Sequence, residues 1–389
     1  MERKTDYEVR VFEYDEEGGA FVPRGTTYWC ASIQFTENQY SPGGFELVLP
    51  LGAPYAREFK KYRYVQIGRR FFGVIQSLRF ESTAAGDMLT VSGADLLGFL
   101  SQRVTIPPNW DSPSAMMGFD GITGPSETVI KHFVKNNIVS PLSQPRKIPG
   151  FSIAPDLRRG IQNDKYLSRF ESLVDVVGAV GRDAKLGLRS WLDLFGGRIV
   201  FDVAEGTDRS MAQDAVPPVV LSVNRQTVLS MNHTDSDGAM RNAFYTTMAG
   251  AEFEDEALTL VYYRAEDETT PPSGIMRHEM HMEISADHPT PGQEYNELKR
   301  LALIQATNYQ PTLTFTCSIN HARVKYGENF GLGDIVTLQN SDWGVTLDTE
   351  VIGATVSHSG SESSYTVTFG TDKPTFMKTI KKLIQLGGK

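Results

Sequence analysis

Tyr64-Val65-Gln66-Ile67, the run Phe71 to Phe80, a turn over Ala84-Ala85-Gly86-Asp87 and Leu89-Thr90-Val91-Ser92-Gly93 read in order as strand, long strand, tight turn and strand ending in glycine. The layout returns near the far end. There Asp334-Ile335-Val336-Thr337-Leu338 precedes Val345 to Val356, a turn at Ser359 to Glu362 and Tyr365-Thr366-Val367-Thr368-Phe369-Gly370. Repetition changes the reading of a whole chain and is weighed before single elements. On pattern alone, two related barrels and two unrelated strand runs are equally open.

Working outward, Tyr7, Val9 and Val11 alternate with Glu8 and Arg10, and Trp29, Ala31, Ile33 and Phe35 alternate with Cys30, Ser32 and Gln34. Period two marks half-buried strands. A further strand is expected at Phe45 to Leu49, after the turn-forming Ser41-Pro42-Gly43-Gly44. Strands this short and frequent suggest a barrel or sandwich. Asp95 to Leu100 reads as a short helix, and the Pro-, Ser- and Gly-rich text after Ile106-Pro107-Pro108 marks a boundary.

Beyond it the period changes. Val129, Ile130, Phe133 and Val134 share a face of a helix opened by Ser126 and Glu127; Leu173, Val174, Val177 and Val180 do so in a second, Glu171 to Gly181. Strands at Leu186 to Leu192 and Arg198 to Val203 complete a small α+β unit. Strands are expected again at 219–223, 243–248, 258–263 and 277–284, with a helix at 294–307 carried by Leu298, Leu301, Ala302 and Ile304. At 373–386 Phe376, Ile380, Leu383 and Ile384 lie at helical spacing among lysines, an amphipathic tail.

At 389 residues the chain exceeds the roughly 250–300 at which single cores stop growing, so several domains are expected. Hydrophobic residues at 40% and charged residues at 22% suit packed cores. Thirty-eight Lys and Arg against 47 Asp and Glu leave a net charge of −9, which argues against general nucleic-acid binding but leaves room for a local basic patch. Cys30 and Cys317 are expected as buried free thiols. The charged opening MERKTDYEVRVFEYDEEGG lacks an export-signal core, and no run approaches the about 18 apolar residues of a membrane span. A soluble chain made in the cytoplasm is the expectation.

Gly44-Phe45-Glu46-Leu47-Val48-Leu49-Pro50, Phe72-Gly73-Val74-Ile75, Leu89-Thr90-Val91-Ser92-Gly93-Ala94-Asp95-Leu96-Leu97 with Arg103 following, and Tyr326-Gly327-Glu328-Asn329-Phe330-Gly331-Leu332-Gly333-Asp334-Ile335-Val336 resemble the tail-tip hub family of long-tailed siphophages. That family is similar to the central baseplate hub of contractile tails. The resemblance runs from about residue 7 to residue 370 and rests on structural residues, so it speaks for architecture and not for chemistry.

It implies a mixed β and α+β fold with two tail-tube-like β-barrel domains and inserted α+β domains. The boundaries expected are 1–106 for the first barrel, 107–217 for an α+β domain, 218–370 for a second barrel with an insertion at about 251–310, and 371–389 for the tail. The implied function is a homotrimeric ring at the virion tail tip, in which three chains offer six barrels to a sixfold tube and edge strands are consumed by neighbours. Implied partners are the distal tail protein and tail tube, the tape-measure protein, and tip, fibre or receptor-binding proteins. No specific nucleic-acid binding is expected, although the ring leaves room for DNA to pass. Some related phage proteins continue into a wall-cleaving or fibre-like domain; ending at Lys389, this chain is expected to leave any such piece to another polypeptide.

Chemistry finds little support in the residues. His278-Glu279-Met280-His281 is one residue short of the zinc-protease motif, and its setting reads as a strand, where positions three apart face opposite sides. His132, His233, His288, His321 and His358 are scattered. Asp235-Ser236-Asp237-Gly238 opens like a calcium loop, but the twelfth position is Thr246. Gly331-Leu332-Gly333-Asp334 lacks the remaining glycine and lysine of a phosphate loop; its glycines serve a bend and Asp334 caps the turn. No catalytic, cofactor-binding or metal residue is assigned, and no cofactor is expected.

Two rivals remain open. A glycan hydrolase would use carboxylates such as Glu254 and Asp267, within the clusters Glu252 to Glu256 and Glu266 to Glu268. A carbohydrate-binding module would use aromatics such as Tyr262 and Tyr263.

Overall fold

A computed structural model describes residues 7–84, 86–108, 119–248, 259–262, 272–284, 302, 306, 309, 312–360 and 362–370. Alternation in the sequence becomes sheet almost wherever it occurs. The strands are β1 (Val9–Asp15), β2 (Ala20–Thr27), β3 (Ser32–Asn38), β4 (Gly44–Pro50), β5 (Tyr64–Ile67), β6 (Phe71–Thr83) and β7 (Gly86–Asp95). After a 3-10 turn, Leu96–Gln102, come β8 (Asp120–Pro125), helix α1 (Ser126–Val134), β9 (Phe151–Ile153), β10 (Gln162–Ser168), helix α2 (Leu173–Ala184), β11 (Leu186–Asp193) and β12 (Arg198–Glu205). The remainder comprises β13 (Asp208–Arg209), β14 (Val220–Leu221), β15 (Val228–Ser236), β16 (Ala243–Met248), β17 (Thr259–Tyr262), β18 (Glu279–Ile284), β19 (Thr312–Ile319), β20 (Ile335–Asn340), β21 (Val345–Ser359) and β22 (Glu362–Gly370).

Two closed barrels are expected from the resemblance; the described strands instead run as one open path. Its order is β15-β19-β22-β21-β3-β4-β7-β6-β5-β1-β2, with β20 on β21, and β13 and β14 on β20. The two halves are fused because β3 pairs antiparallel with β21, from Gly353↔Asn38 to Ser359↔Ser32. At one end, β2 carries Pro23 and a register shift in its pairing with β1. Proline has no N–H to offer a further strand, which suits an edge.

The echo in the sequence is an echo in space. In β3-β4-β7-β6-β5 and in β15-β19-β22-β21-β20 the strands follow the same order. Each set is built on a three-strand meander with a long middle strand. β6 pairs with β5 as far as Val74 and shifts register between Ile75 and Ser77. β21 pairs with β20 as far as Glu350 and shifts between Val351 and Gly353. A bulge at that point adds twist and bends the long strand.

The chain packs as two units, Met1–Met231 with Thr316–Phe369, and the described residues between Asn232 and Phe315. In the first, Leu47, Leu49, Val65, Ile75 and Val91 from one meander and its companions, and Val351, Val367 and Phe369 from the other, are 0% exposed. Burial of such side chains stabilises by about 1.5–3 kcal/mol each. Helix α1 buries the four residues its period predicts. Helix α2 buries Leu173, Val177 and Val180 as expected, but Val176 rather than Val174. Val176 is buried because it stands at i+3 from Leu173 and at i−4 from Val180, on the apolar face itself, whereas Val174 lies at its margin, beside Gly178. β11 and β12 form an antiparallel pair with β9 parallel to β12, and β8 pairs with β10. In the second unit β16 lies between β17, antiparallel, and β18, parallel.

Ala302 and Ala306 are helical, as the spacing predicts; the rest of the helix expected at 294–307, and the tail at 373–386, lie outside the described residues. Among the described residues no helix is long and apolar enough to cross a membrane.

Candidate functional site

The loop from Tyr326 to Asp334, one of the motifs that carry the resemblance, is dense in polar contacts. Gly327 N–H donates to the Phe330 carbonyl at 2.7 Å, and Asn329 Oδ1 accepts from Lys325 N–H at 2.8 Å, which curls the loop. The rings of Tyr326 and Phe330 meet edge to face at 5.7 Å. Tyr326 hydroxyl donates to Glu37 Oε2 at 3.2 Å, and the Arg70 guanidinium lies 5.0 Å from the Tyr326 ring. Burial, with the Glu37 charge beside it, drives the Tyr326 phenol well above its ordinary range.

Asp334 ends this loop and does more than cap a turn. Its Oδ2 accepts from Gly331 N–H at 2.9 Å and from Arg209 Nε at 3.1 Å, and its Oδ1 accepts from Thr207 N–H at 2.8 Å. The carboxylate thereby fastens the approach to β13 against the start of β20, where Asp208 and Ile335 pair in parallel.

Above it lies Gln39, just past β3 and 0% exposed. Its N–H donates to the Ile352 carbonyl at 2.9 Å, its carbonyl accepts from Leu188 N–H at 2.8 Å, and its side-chain oxygen accepts from Arg189 Nη2 at 2.6 Å. Arg189 also donates to the carbonyls of Leu332 at 3.0 Å and Leu188 at 2.7 Å. Two glycines make room: a Cβ on Gly187 or Gly333 would fall 2.4 Å or 2.3 Å from the Gln39 amide. Beside it Tyr40 donates to Glu350, with Arg182 5.5 Å over its ring. Burial pushes the Glu350 carboxyl and the Tyr40 phenol up and the Arg189 guanidinium down.

This junction joins β3, β11, the β13 approach and the second meander. Glu37, Asp334 and Glu350 are each committed to an arginine or a tyrosine, which makes the arrangement a fastening. A second cluster fastens the α+β layer. Glu127, 0% exposed, accepts from Lys131 at 2.6 Å and from Arg159 at 2.9 Å; Asp202 lies 2.7 Å from Lys131. Burial raises the Glu127 carboxyl, but these hydrogen bonds outweigh it and hold it at about 2.

The residues weighed for chemistry are dispersed. His281 lies on β18 and contacts Thr247 Oγ1 at 3.0 Å, while His278 precedes the strand and donates its backbone N–H to Asn242 Oδ1. Asp235 is exposed near the end of β15, with Asp237 in the turn beyond. His132, without an evident partner in the sequence, meets buried Asp120 at 2.7 Å. His321 and His358 are brought together by Tyr365, stacked on His321 with centroids 3.8 Å apart and edge-on to His358 at 6.1 Å. Cys30 and Cys317 are free and buried. Among the described residues no three His, Cys, Asp or Glu are placed to hold a metal. Glu254, Asp267, Tyr263 and His288 lie outside the described residues, as does the side chain of Tyr262.

Arg189 and Gln39 were invisible as a pair in the sequence: of the two glycines that make room for the Gln39 amide, Gly187 lies near Arg189 in the chain and Gly333 lies near neither.

Comparison with known proteins agrees with this architecture. No curated protein matches the chain. The fold is similar to that of a tail protein from Neisseria meningitidis MC58, at 15% identity and TM-score 0.51, covering 94% of this chain and 97% of that one. It is similar also to the 43 kDa tail protein of prophage MuSo2 from Shewanella oneidensis, at 14% identity and TM-score 0.52, covering 93% and 98%. The family model described as Siphovirus ReqiPepy6 Gp37-like protein matches residues 24–371. With most of its length inside that match, the chain belongs to the Siphovirus ReqiPepy6 Gp37-like protein family.

Proposed function

We propose that this chain is the hub of a phage tail tip, a homotrimeric ring that adapts the sixfold tail tube to the tip or receptor-binding proteins beyond it. The observation that carries the reading is the shared strand order of the two sets built on β5-β6-β7 and β20-β21-β22, each with a bulge where its long strand leaves its first partner. Three copies of a chain with two similar modules present six similar surfaces, the number a sixfold tube requires. Each set is then one tail-tube-like wall element, 1–106 and 218–370 in sequence, with 107–217 inserted as the α+β domain and 371–389 as a tail that contacts a neighbouring chain. The role is noncatalytic: the polar clusters described above are spent on fastening.

Tape-measure and distal tail proteins are the partners this position requires. The test is mass in solution by light scattering, with negative-stain images of the same sample. A mass of three chains and ring-shaped particles support the hub; a stable monomer both alone and mixed with its distal tail protein overturns it.

A further inference from the structure

Arg103 and Arg146 stand side by side, with no counter-ion among the described residues. Arg103 closes the 3-10 turn Leu96–Gln102, and Arg146 ends a second such turn, Gln144–Arg146. Each guanidinium is positioned by the other's segment: Arg103 Nε donates to the Arg146 carbonyl at 3.0 Å, and Arg146 Nη2 to the Val104 carbonyl at 2.5 Å. Arg146 also donates to Asn137 Oδ1 at 3.2 Å, and Arg103 Nη1 to the Gln102 carbonyl at 3.1 Å. All these acceptors are neutral. Neither arginine has a carboxylate within ion-pair distance among the described residues, and both keep donors in hand, Arg103 Nη2 and Arg146 Nε.

The pair lines a cleft of about 390 Å³, with Ser101, Gln102 and Ser172 on its walls. Burial pushes both guanidinium pKa values down, and the Arg103 charge adds to this at Arg146. Two like charges held together in a partly desolvated cleft repel unless an anion is shared between them. In a chain with a net charge of −9, such a site is a local feature and not part of a general basic surface.

We propose that the Arg103–Arg146 cleft is a binding site for a phosphoryl oxyanion, either free phosphate or a phosphate monoester. A dianion neutralises both guanidiniums, where a single carboxylate leaves one uncompensated, and the planar N–H forks suit tetrahedral oxygens. Serine hydroxyls and the Gln102 amide supply the neutral donors around it. The site stands apart from the polar junction and does not depend on the hub reading.

Inorganic phosphate and glycerol 3-phosphate, each against chloride at matched ionic strength, are the probes, read by calorimetry and by the shift in Tm on the full chain. Binding of both places esters within reach; binding of inorganic phosphate alone narrows the ligand to the free ion. Arg103→Gln is expected to weaken binding about tenfold or more, while Arg198→Gln, an exposed arginine paired with Asp193, leaves it unchanged. Gln102→Glu at an exposed wall position supplies an internal anion; it is expected to abolish phosphate binding and to raise Tm in chloride, and it keeps the test decisive if Arg103→Gln does not fold. No binding by the wild-type chain, or binding undiminished in Gln102→Glu, overturns the proposal.

Discussion

The Arg189 guanidinium reaches Gln39, 150 positions away in the chain, and donates to its side-chain oxygen at 2.6 Å inside the core. The bond joins the α+β layer to β3, and β3 is the strand that pairs with the second meander. Arg189→Met takes a donor from the Gln39 and Leu332 oxygens, and Gln39→Ala takes from the Arg189 guanidinium one of its three oxygen acceptors. Each change is expected to cost about 3 kcal/mol in urea unfolding. The double mutant is expected to cost clearly less than the two single losses added together, because the second change removes a group that has already lost this partner.

Gly333 has φ +84, and a Cβ there would collide with the Gln39 amide; Gly344, at φ +64, faces open space. Gly333→Ala is expected to lower stability by about 2–4 kcal/mol, and Gly344→Ala by about 1 kcal/mol, which is backbone strain alone. Equal losses in thermal unfolding would show that close packing around Gln39 contributes nothing.

Glu127→Gln leaves Lys131 and Arg159 without their shared carboxylate and is expected to cost about 3–5 kcal/mol near neutral pH. The wild-type carboxyl titrates at about 2 against 4.5 unperturbed. Its contribution is therefore present above pH 4.5 and is lost as pH falls toward 2. In acid the stabilities of variant and wild type should converge.

His358 runs the other way. Burial first, then the charge of His321, brings it down to about 4 from 6.5. The unfolded chain takes up a proton below pH 6.5 while the folded chain does not until about 4, so stability falls across that window as pH drops. The loss is on the order of 2–3 kcal/mol. His358→Gln should flatten the stability profile between pH 6.5 and 4 and change little above pH 7.

Burial pushes the Cys30 and Cys317 thiols up to about 12. Thiolate is the reactive form, so neither should react with an alkylating reagent in the native chain at neutral pH. Both should react in denaturant; rapid labelling of the folded protein would contradict their placement.

Local pattern carried most of the elements. Alternation located β1, β3 and β4, and spacing located α1 with all four of its core residues. It missed β2, whose Pro23 and Gly25 interrupt the period, β15, whose exposed polar run has no apolar alternation to detect, and also β8, β9, β10 and β13. In α2 the reading took Val174 in place of Val176, which lies at helical spacing from both Leu173 and Val180.

The sequence by itself determined the two long-strand meanders, since a period of two and glycine-bearing turns are properties of neighbouring residues. Only the tertiary structure decided that β3 pairs with β21, that Asp334 clasps Thr207 and Arg209, and that Arg189 finds Gln39. Those choices rest on desolvated hydrogen bonds between groups far apart in the chain, whose strength depends on burial that no local pattern encodes.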